Sequence, residues 1–437
     1  MLKQQLLKYS RNLVVAVTLA GTIFSAVSNS FARTRPPLSL KPEAVVSYVD
    51  FNAGVASPLN PSTDRVFIKM LNISRKAVLA TQQIYAGTTV EKSMVMEQRN
   101  KTLHFALIDL GATFAPNFIT YITVSQAGTM SRETVPQPGS LANRMIRKVK
   151  ITLWENGNTA IPVILADSLD STGGMNQIDV LAKINGVWQS AMVQNNLTGV
   201  EAMAIKVDSI TNTAYIAFDT GAPGSSIERF IAWNNVSNSA SWAFSVTANI
   251  TNLNPTSPGG PRTLKIARNA LLNSILTVNI GGLQLSGYFG IVLHDTQNQN
   301  QQIAAQAALM HDLFEFSPGI LGFLVKNYQS GPSYLADDFS LYLDGSGIIS
   351  SFHIETPHVG AGRYFYYPVF QQENPVIPSS FYMAAPGVEY TAAYFPVRRF
   401  LKIYTANFAI LLDTWEIDFP VVYPYLEEFR NIDLAVY

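Results

Sequence analysis

Asp219, Thr220 and Gly221 form the stretch of this sequence that is best placed to do chemistry. They follow Tyr215–Phe218, an apolar and aromatic run that is typical of a buried strand. Two glycines and a proline within residues 221–224 would then bend the chain away at once. A carboxylate at such a strand end can be shielded from water and hydrogen-bonded, which prepares it as an acid or a base. The simpler alternative is a strand followed by an Asx-type turn.

Further segments follow in an order that resembles the pepsin-like and retroviral-type aspartic peptidases. The Asp219-Thr220-Gly221 turn is similar to the active-site turn of that family, and the resemblance of a first lobe covers about residues 200–368. The other similar segments are Ala202–Phe218 before the turn, then Ile280–Gly290, Pro318–Phe323, Phe339–Leu343 with Ser346–Ile348, and finally Phe408–Thr414 with Pro420 and Tyr423 beyond it.

The resemblance implies an exported aspartic peptidase that hydrolyses peptide bonds with an Asp-activated water. Its catalytic pair would be Asp219 and Asp413, one ionised and one protonated, because two carboxylates that share a proton have pKa values pushed apart. Thr220, Gly221 and Thr414 would support the two turns, and Ile320, Leu321 and Gly322 would pack beneath the first. A peptide or protein would be the substrate, and no cofactor is expected.

The second half of this resemblance departs from the family pattern. Trp415 stands where a glycine is expected after Thr414, and only 24 residues follow Asp413. Three explanations stay open: the N-terminal region supplies missing strands, two chains pair as a homodimer, or the scaffold has no peptidase activity. The alternative function is therefore a non-catalytic, exported β-rich binding or structural protein.

The composition favours a β-rich protein with a large core. The chain has 437 residues, of which 48% are hydrophobic and 14% charged, with 24 Phe, 19 Tyr and no Cys. Disulfides and thiolate chemistry are excluded. No basic stripe indicates a nucleic-acid partner. His353, Glu355 and His358 are close in sequence, but surface polar positions explain them better than a metal site, so no metal is predicted.

The first 32 residues have the pattern of a cleaved signal peptide. Lys3, Lys8 and Arg11 precede an uncharged apolar run, Leu13–Ala26, which is too short for a membrane span, and Ser30–Ala32 offers a cleavage site. We therefore expect export to the periplasm, cell surface or exterior of a bacterium, with no transmembrane span after cleavage.

The fold class predicted for the remainder is mainly β. An N-terminal β-sandwich-like domain or pro-segment with its linker would occupy residues 33–145, and a pepsin-like β-lobe with an incomplete second lobe would occupy 146–437. Asn156-Gly157 predicts a hairpin turn. Gln302–Leu313 predicts a helix that Ser317-Pro318-Gly319 would stop, and Pro420–Phe429 predicts a second, short one.

Overall fold

The computed structural model describes most of the chain from Leu40 onwards. Side chains are described mainly up to residue 251 and again in parts of the C-terminal strands. The described residues are 40–50, 64–87, 89–109, 117–137, 141, 144–170, 174–220, 227–251, 264–269, 274–280, 291–294, 300–304, 308–317, 320–327, 338–344, 349–355, 362–365, 369–372, 381–390, 396–406, 411–419 and 430–437.

The described chain is built from β-strands, with one short 3-10 turn at Ser239–Ser241. In chain order the strands are β1 (Ala44–Asp50), β2 (Asp64–Asn72), β3 (Ala77–Gly87), β4 (Thr89–Met96), β5 (Leu103–Asp109), β6 (Phe118–Val124), β7 (Met130–Thr134), β8 (Met145–Asn156), β9 (Thr159–Leu169), β10 (Asn176–Ile184), β11 (Val187–Leu197), β12 (Val200–Asp208), β13 (Thr213–Thr220), β14 (Ile227–Asn234), β15 (Ala243–Thr251), β16 (Leu264–Asn269), β17 (Ser274–Ile280), β18 (Ile291–His294), β19 (Asn300–Ala304), β20 (Ala308–Ser317), β21 (Ile320–Asn327), β22 (Asp338–Asp344), β23 (Ile349–Glu355), β24 (Gly362–Phe365), β25 (Val369–Gln372), β26 (Phe381–Tyr390), β27 (Pro396–Ala406), β28 (Leu411–Phe419) and β29 (Arg430–Val436).

These strands form seven antiparallel sheets, which we call blades. Five of them are four-stranded meanders of strands that follow one another in sequence: β4–β7, β8–β11, β12–β15, β16–β19 and β20–β23. The seventh blade has five strands, because β24 and β25 both pair with β26, which is followed by β27 and β28. The first blade has the order β29-β1-β2-β3, so its innermost strand comes from the C-terminal end of the chain. Short turns suffice for meanders because neighbouring strands run in opposite directions.

The innermost strand of each blade lies beside the innermost strand of the next, and these contacts close a ring. Around the ring the strands in contact are β29, β4, β8, β12, β16, β20, β25 and again β29. Outer strands such as β7 and β11 are mostly exposed or half-buried. A closed ring of radial four-stranded meanders is the architecture of a seven-bladed β-propeller.

Apolar side chains fill the spaces between consecutive blades. The cluster between the third and fourth blades is centred on Trp233 and Phe218, both fully buried. Equivalent clusters lie between the first and second blades around Phe105, and between the seventh and first around Leu401. A further cluster around Ala166 lies between the second and third blades, so the first, second and third blades bury both faces, as the dense apolar runs of the sequence require.

The turns after the innermost strands are tied to one another at one end of the ring. The N–H of Gln98 donates to Glu155 Oε1 (3.0 Å), and Arg99 donates to the Gly157 carbonyl (3.1 Å). The N–H of Glu155 in turn donates to Ser209 Oγ (2.8 Å). These bonds link the second, third and fourth blades and fix the direction of their innermost strands.

The prediction of a mainly β protein is confirmed, whereas the pepsin-like lobe is wrong. The described parts of the segments that suggested such a lobe are spread over the fourth, fifth, sixth and seventh blades of a ring. The predicted helix over Gln302–Leu313 is also wrong, because this stretch supplies parts of β19 and β20, and β20 pairs with β21. The hairpin at Asn156-Gly157 is confirmed, with Asn156 opposite Thr159.

Pro42–Tyr437 forms one compact unit. The expected boundary after residue 145 falls at the start of β8, and the division into two domains stays a prediction. The expected helix at Pro420–Phe429 and the signal peptide at residues 1–32 lie outside the described residues. Within the described part of the chain, no helix is long and apolar enough to cross a membrane.

Candidate functional site

Four charged side chains meet on the innermost strands of the first three blades, and we call them the inner-strand charge cluster: Glu91, Lys92, Lys150 and Asp433. Lys92 Nζ on β4 lies 2.6 Å from Asp433 Oδ2 on β29. Lys150 Nζ on β8 lies 3.0 Å from Glu91 Oε1 on β4. The cluster therefore contains two cations and two carboxylates, arranged as two ion pairs that join adjacent blades.

Lys92 is the buried member of the cluster, since its side chain has no exposed surface. Its ammonium donates to Asp433 and also to Ser47 Oγ on β1 (2.8 Å). Burial lowers the pKa of Lys92, the Asp433 carboxylate opposes that shift, and the positive charge of Lys150 adds to it. A buried ammonium is tolerable only with such partners, so this pair fastens β29 to the second blade.

Lys150 and Asp433 are the open members of the cluster. Their side chains are 42% and 28% exposed, whereas Glu91 is 16% exposed. The Glu91 carboxylate raises the pKa of Lys150 against the opposing effect of burial, so the ammonium stays charged. Because these strands pack against neighbouring blades on their flanks, we infer that the exposed atoms face the centre of the ring.

The open members have hydrogen-bonding capacity that the described residues do not use. The ammonium of Lys150 has three N–H groups and one partner, Glu91. The Oδ2 atom of Asp433 accepts from both Lys92 and Ser47, which leaves Oδ1 without a partner in the described part of the chain. One donor group and one acceptor group are therefore available to a ligand.

Two further polar residues extend the arrangement to the fourth blade. Lys148 Nζ donates to the Val200 carbonyl at the start of β12 (2.8 Å). Opposite it in the sheet, Asp167 is fully buried and accepts from Asn176 (2.8 Å), and within the part of the chain that the structure describes its Oδ2 has no partner. Burial raises the pKa of Asp167. Because Asp167 is enclosed, we place it in the support of the site and not in its ligand-contacting surface.

A second buried polar group lies between the second and third blades. His104 Nδ1 is 2.5 Å from the Tyr121 hydroxyl, and its Nε2 is 3.8 Å from Glu97 Oε2. Tyr121 packs edge-on against Trp188, whose indole N–H donates to Glu133 (2.8 Å). Burial lowers the pKa of His104 to about 4, so the ring is neutral at ordinary pH. His104 and Tyr121 are both buried, so these two side chains serve packing.

The residues proposed from sequence for the peptidase site lie on different blades. Asp219 is within β13 of the fourth blade, opposite Glu228, and the buried Thr220 ends that strand. Asp413 and Thr414 lie on β28, the outermost strand of the seventh blade. Ile320, Leu321 and Gly322 begin β21 of the sixth blade, and Gly221 lies outside the described residues.

Asp413 makes an exposed ion pair instead of a carboxyl pair. Its Oδ1 lies 2.7 Å from Lys76 Nζ, and the two side chains are 53% and 46% exposed. The hydrogen bond from Lys76 lowers the pKa of Asp413, whereas a shared-proton dyad needs one carboxyl with a raised pKa. The aspartic peptidase function is therefore wrong, and the structure does not bring Asp219 and Asp413 together.

Sequence reasoning missed the inner-strand charge cluster. Its signal is present but weak: Glu91-Lys92 precedes the apolar stretch Met94–Met96 in β4, and Asp433 sits between Ile432 and Leu434 in β29. A charge inside an apolar strand indicates a buried pair. The sequence cannot show the partner, because Lys92 and Asp433 are 341 positions apart. No group of three or more side chains suited to a metal occurs in the described part.

No protein-family model and no curated protein matches this chain. Among solved structures it is similar to the α-L-arabinofuranosidase Arb93A from Fusarium graminearum, with a TM-score of 0.43, 10% identity, and coverage of 72% of this chain and 92% of that one. It is also similar to the β-propeller domain of the Trilobed protease from Pyrococcus furiosus (0.39, 9%, 75% and 92%). A third similar structure is the Aleuria aurantia lectin (0.38, 12%, 73% and 99%). At these values the propeller assignment rests on the strand order and the ring of contacts.

Proposed function

We propose that this chain is an exported ligand-binding protein whose site is the inner-strand charge cluster. One observation carries the proposal: Lys150 and Asp433 are partly exposed and keep unused hydrogen-bonding capacity on strands that converge at the centre of the ring. Concave places where a few polar groups converge are where proteins bind small ligands. Lys92 and Ser47 hold Asp433 in position, and Glu91 holds Lys150.

The simplest competing explanation is that these pairs only join the blades. It accounts well for the enclosed Lys92, but it requires no exposure at Lys150 and Asp433. Partly exposed ion pairs add little stability, about 0–1 kcal/mol each. Joining the blades therefore does not by itself explain why the Glu91–Lys150 pair lies partly exposed on innermost strands. A role in ligand binding explains both the enclosed half and the open half of the cluster.

A screen of ligand classes tests the proposal. The full chain is titrated with four sets of small molecules, namely acids, amines, zwitterions and neutral sugars, and binding is read by ligand-observed NMR and by the rise in Tm. The double variant Glu91→Gln with Lys150→Gln removes both charges of the Glu91–Lys150 ion pair and leaves the net charge of the chain unchanged. Lys76→Gln, at the exposed pair with Asp413, is the matched control.

We expect at least one class to bind the wild type and the control, and to bind the double variant about tenfold more weakly, a loss of about 1.4 kcal/mol. The proposal is overturned if no class binds, or if the double variant binds as well as the wild type.

Export rests on the signal-peptide pattern of residues 1–32. Expression of the full chain in a bacterium with N-terminal sequencing of the exported product tests it. The expected product begins at Arg33, directly after Ser30-Phe31-Ala32. A product that keeps residues 1–32 and stays inside the cell would contradict this part of the proposal.

A further inference from the structure

We infer that the inner-strand charge cluster takes a small zwitterion, a molecule that carries one carboxylate and one ammonium group. This inference rests on the proposed function, because it names the ligand class of the same site. It is carried by the separation of the two open groups: the donor, Lys150, is on β8 of the third blade, and the acceptor, Asp433, is on β29 of the first.

The two open groups lie on either side of one strand. β4 stands between β29 and β8 in the ring, and its consecutive residues Lys92 and Glu91 bind Asp433 and Lys150 respectively. A ligand that lies across β4 therefore meets an ammonium on one side and a carboxylate on the other. Its own carboxylate would accept from Lys150, and its own ammonium would donate to Asp433, both as charge-assisted hydrogen bonds.

The net charge of the cluster selects against singly charged ligands. Two cations and two carboxylates give the cluster no net charge, so the site is already balanced before a ligand arrives. A lone acid or a lone amine would add an uncompensated charge in a partly buried place, which is unfavourable. A zwitterion adds none and gains both contacts. A neutral amide of the same size gains hydrogen bonds but no charge assistance.

The test uses matched probes of equal length on the full chain. The zwitterions are glycine, β-alanine, 4-aminobutyrate and 6-aminohexanoate, which sample a range of distances between the ammonium and the carboxylate. For each length the corresponding acid, amine and neutral amide are titrated under the same conditions by calorimetry or NMR. We expect one length to bind about tenfold or more tightly than each of its three matched analogues.

Two variants assign the ends of the bound probe. Lys150→Gln should weaken the best zwitterion about tenfold and should not weaken the matched amine, because the amine does not use Lys150 and the loss of a cation leaves the cluster with a net negative charge. Asp433→Asn removes the other partner, but it also leaves Lys92 without a counter-charge. Its result is used only where its circular dichroism spectrum matches the wild type, and the probe series with Lys150→Gln decides the question in either case. Lys76→Gln should change neither affinity.

The outcomes separate this inference from the proposed function. If an acid or an amine binds as tightly as its zwitterion, the ligand class is wrong and the proposed function stands. The same holds if none of these probes binds while another class from the wider screen binds in a Lys150-dependent way. If nothing in either set binds, or if binding ignores Lys150→Gln, the site itself is wrong.

Discussion

The ammonium of Lys92 is fully enclosed and lies 2.6 Å from the carboxylate of Asp433. The two residues are near opposite ends of the described chain, on β4 and β29, so this pair adds a polar link between the C-terminal strand of the first blade and the second blade. Ser47, from the strand next to β29, donates to the same carboxylate and accepts from the same ammonium. Closure of the ring thus depends on a polar contact as well as on the pairing of β29 with β1.

Loss of this carboxylate should destabilise the protein strongly. Asp433→Asn leaves a buried ammonium without its counter-charge, and such losses cost about 3–5 kcal/mol. Asp413→Asn is the matched control, because it removes the carboxylate of an exposed pair with Lys76, which costs about 0–1 kcal/mol. Urea unfolding of both variants measures the difference. Equal losses in the two variants would show that the buried pair has no special role in closure.

The local character of the strands could be predicted from sequence, but their arrangement could not. The apolar run Tyr215–Phe218 correctly predicted a strand, part of β13, because such signals depend on neighbours in sequence. The ring depends on contacts such as β29 with β1, in which Ala44 pairs with Val436. The run into Asp219 resembled one family because an apolar strand leading into a polar segment is a pattern that many antiparallel β-proteins share.

The helix predicted over Gln302–Leu313 also shows that local sequence preference does not determine which strands pair. Ala- and Gln-rich sequence favours a helix locally, yet this stretch pairs as strands in the fifth and sixth blades. The candidate site failed in prediction for a related reason. Glu91 and Lys92 are visible in sequence as charges in a strand, but Lys150 and Asp433 become their partners only when three blades stand side by side.

The hairpin between β8 and β9 should discriminate between two substitutions of Gly157. This residue has φ of 58°, and a Cβ placed on it would meet no atom within 4 Å. Gly157→Ala should therefore cost about 1–2 kcal/mol for conformational reasons alone. Gly157→Asn should cost less, since Asn adopts positive φ more readily. Thermal unfolding of the two variants gives the comparison, and an alanine variant as stable as wild type would contradict the expected strain.

Trp233 allows packing and hydrogen bonding to be separated in the core between the third and fourth blades. It is fully buried, lies edge-on to Trp242 with ring centroids 4.9 Å apart, and its indole N–H has no partner among the described residues. Trp233→Ala should cost about 3–5 kcal/mol through the cavity that it leaves. Trp233→Phe also loses volume, but it removes the penalty of a buried donor without a partner, which is about 1–3 kcal/mol. It should therefore lower the free energy of unfolding clearly less than Trp233→Ala does. Denaturant unfolding checks the order, and a phenylalanine variant as unstable as the alanine variant would contradict it.

His104 should make stability fall as the pH is lowered from about 6.5 to about 4. Burial holds its pKa near 4 in the folded protein, whereas the unfolded chain has the ordinary value of 6.5. Above pH 6.5 the ring is neutral in both states and the full stability is present. Between these two pKa values the unfolded chain binds a proton at His104 and the folded protein does not. The free energy of unfolding therefore falls by ~3 kcal/mol over this range. His104→Gln keeps a hydrogen-bonding group beside Tyr121 and removes the titration, so its free energy of unfolding should depend less on pH by about that amount.

Asp413→Asn serves as the control for this prediction, since the lowered pKa of that carboxyl acts below this pH window. Equal pH dependence in the wild type and His104→Gln, measured by urea unfolding at intervals from pH 7 to pH 4, would show that His104 is not the residue that couples acid to unfolding.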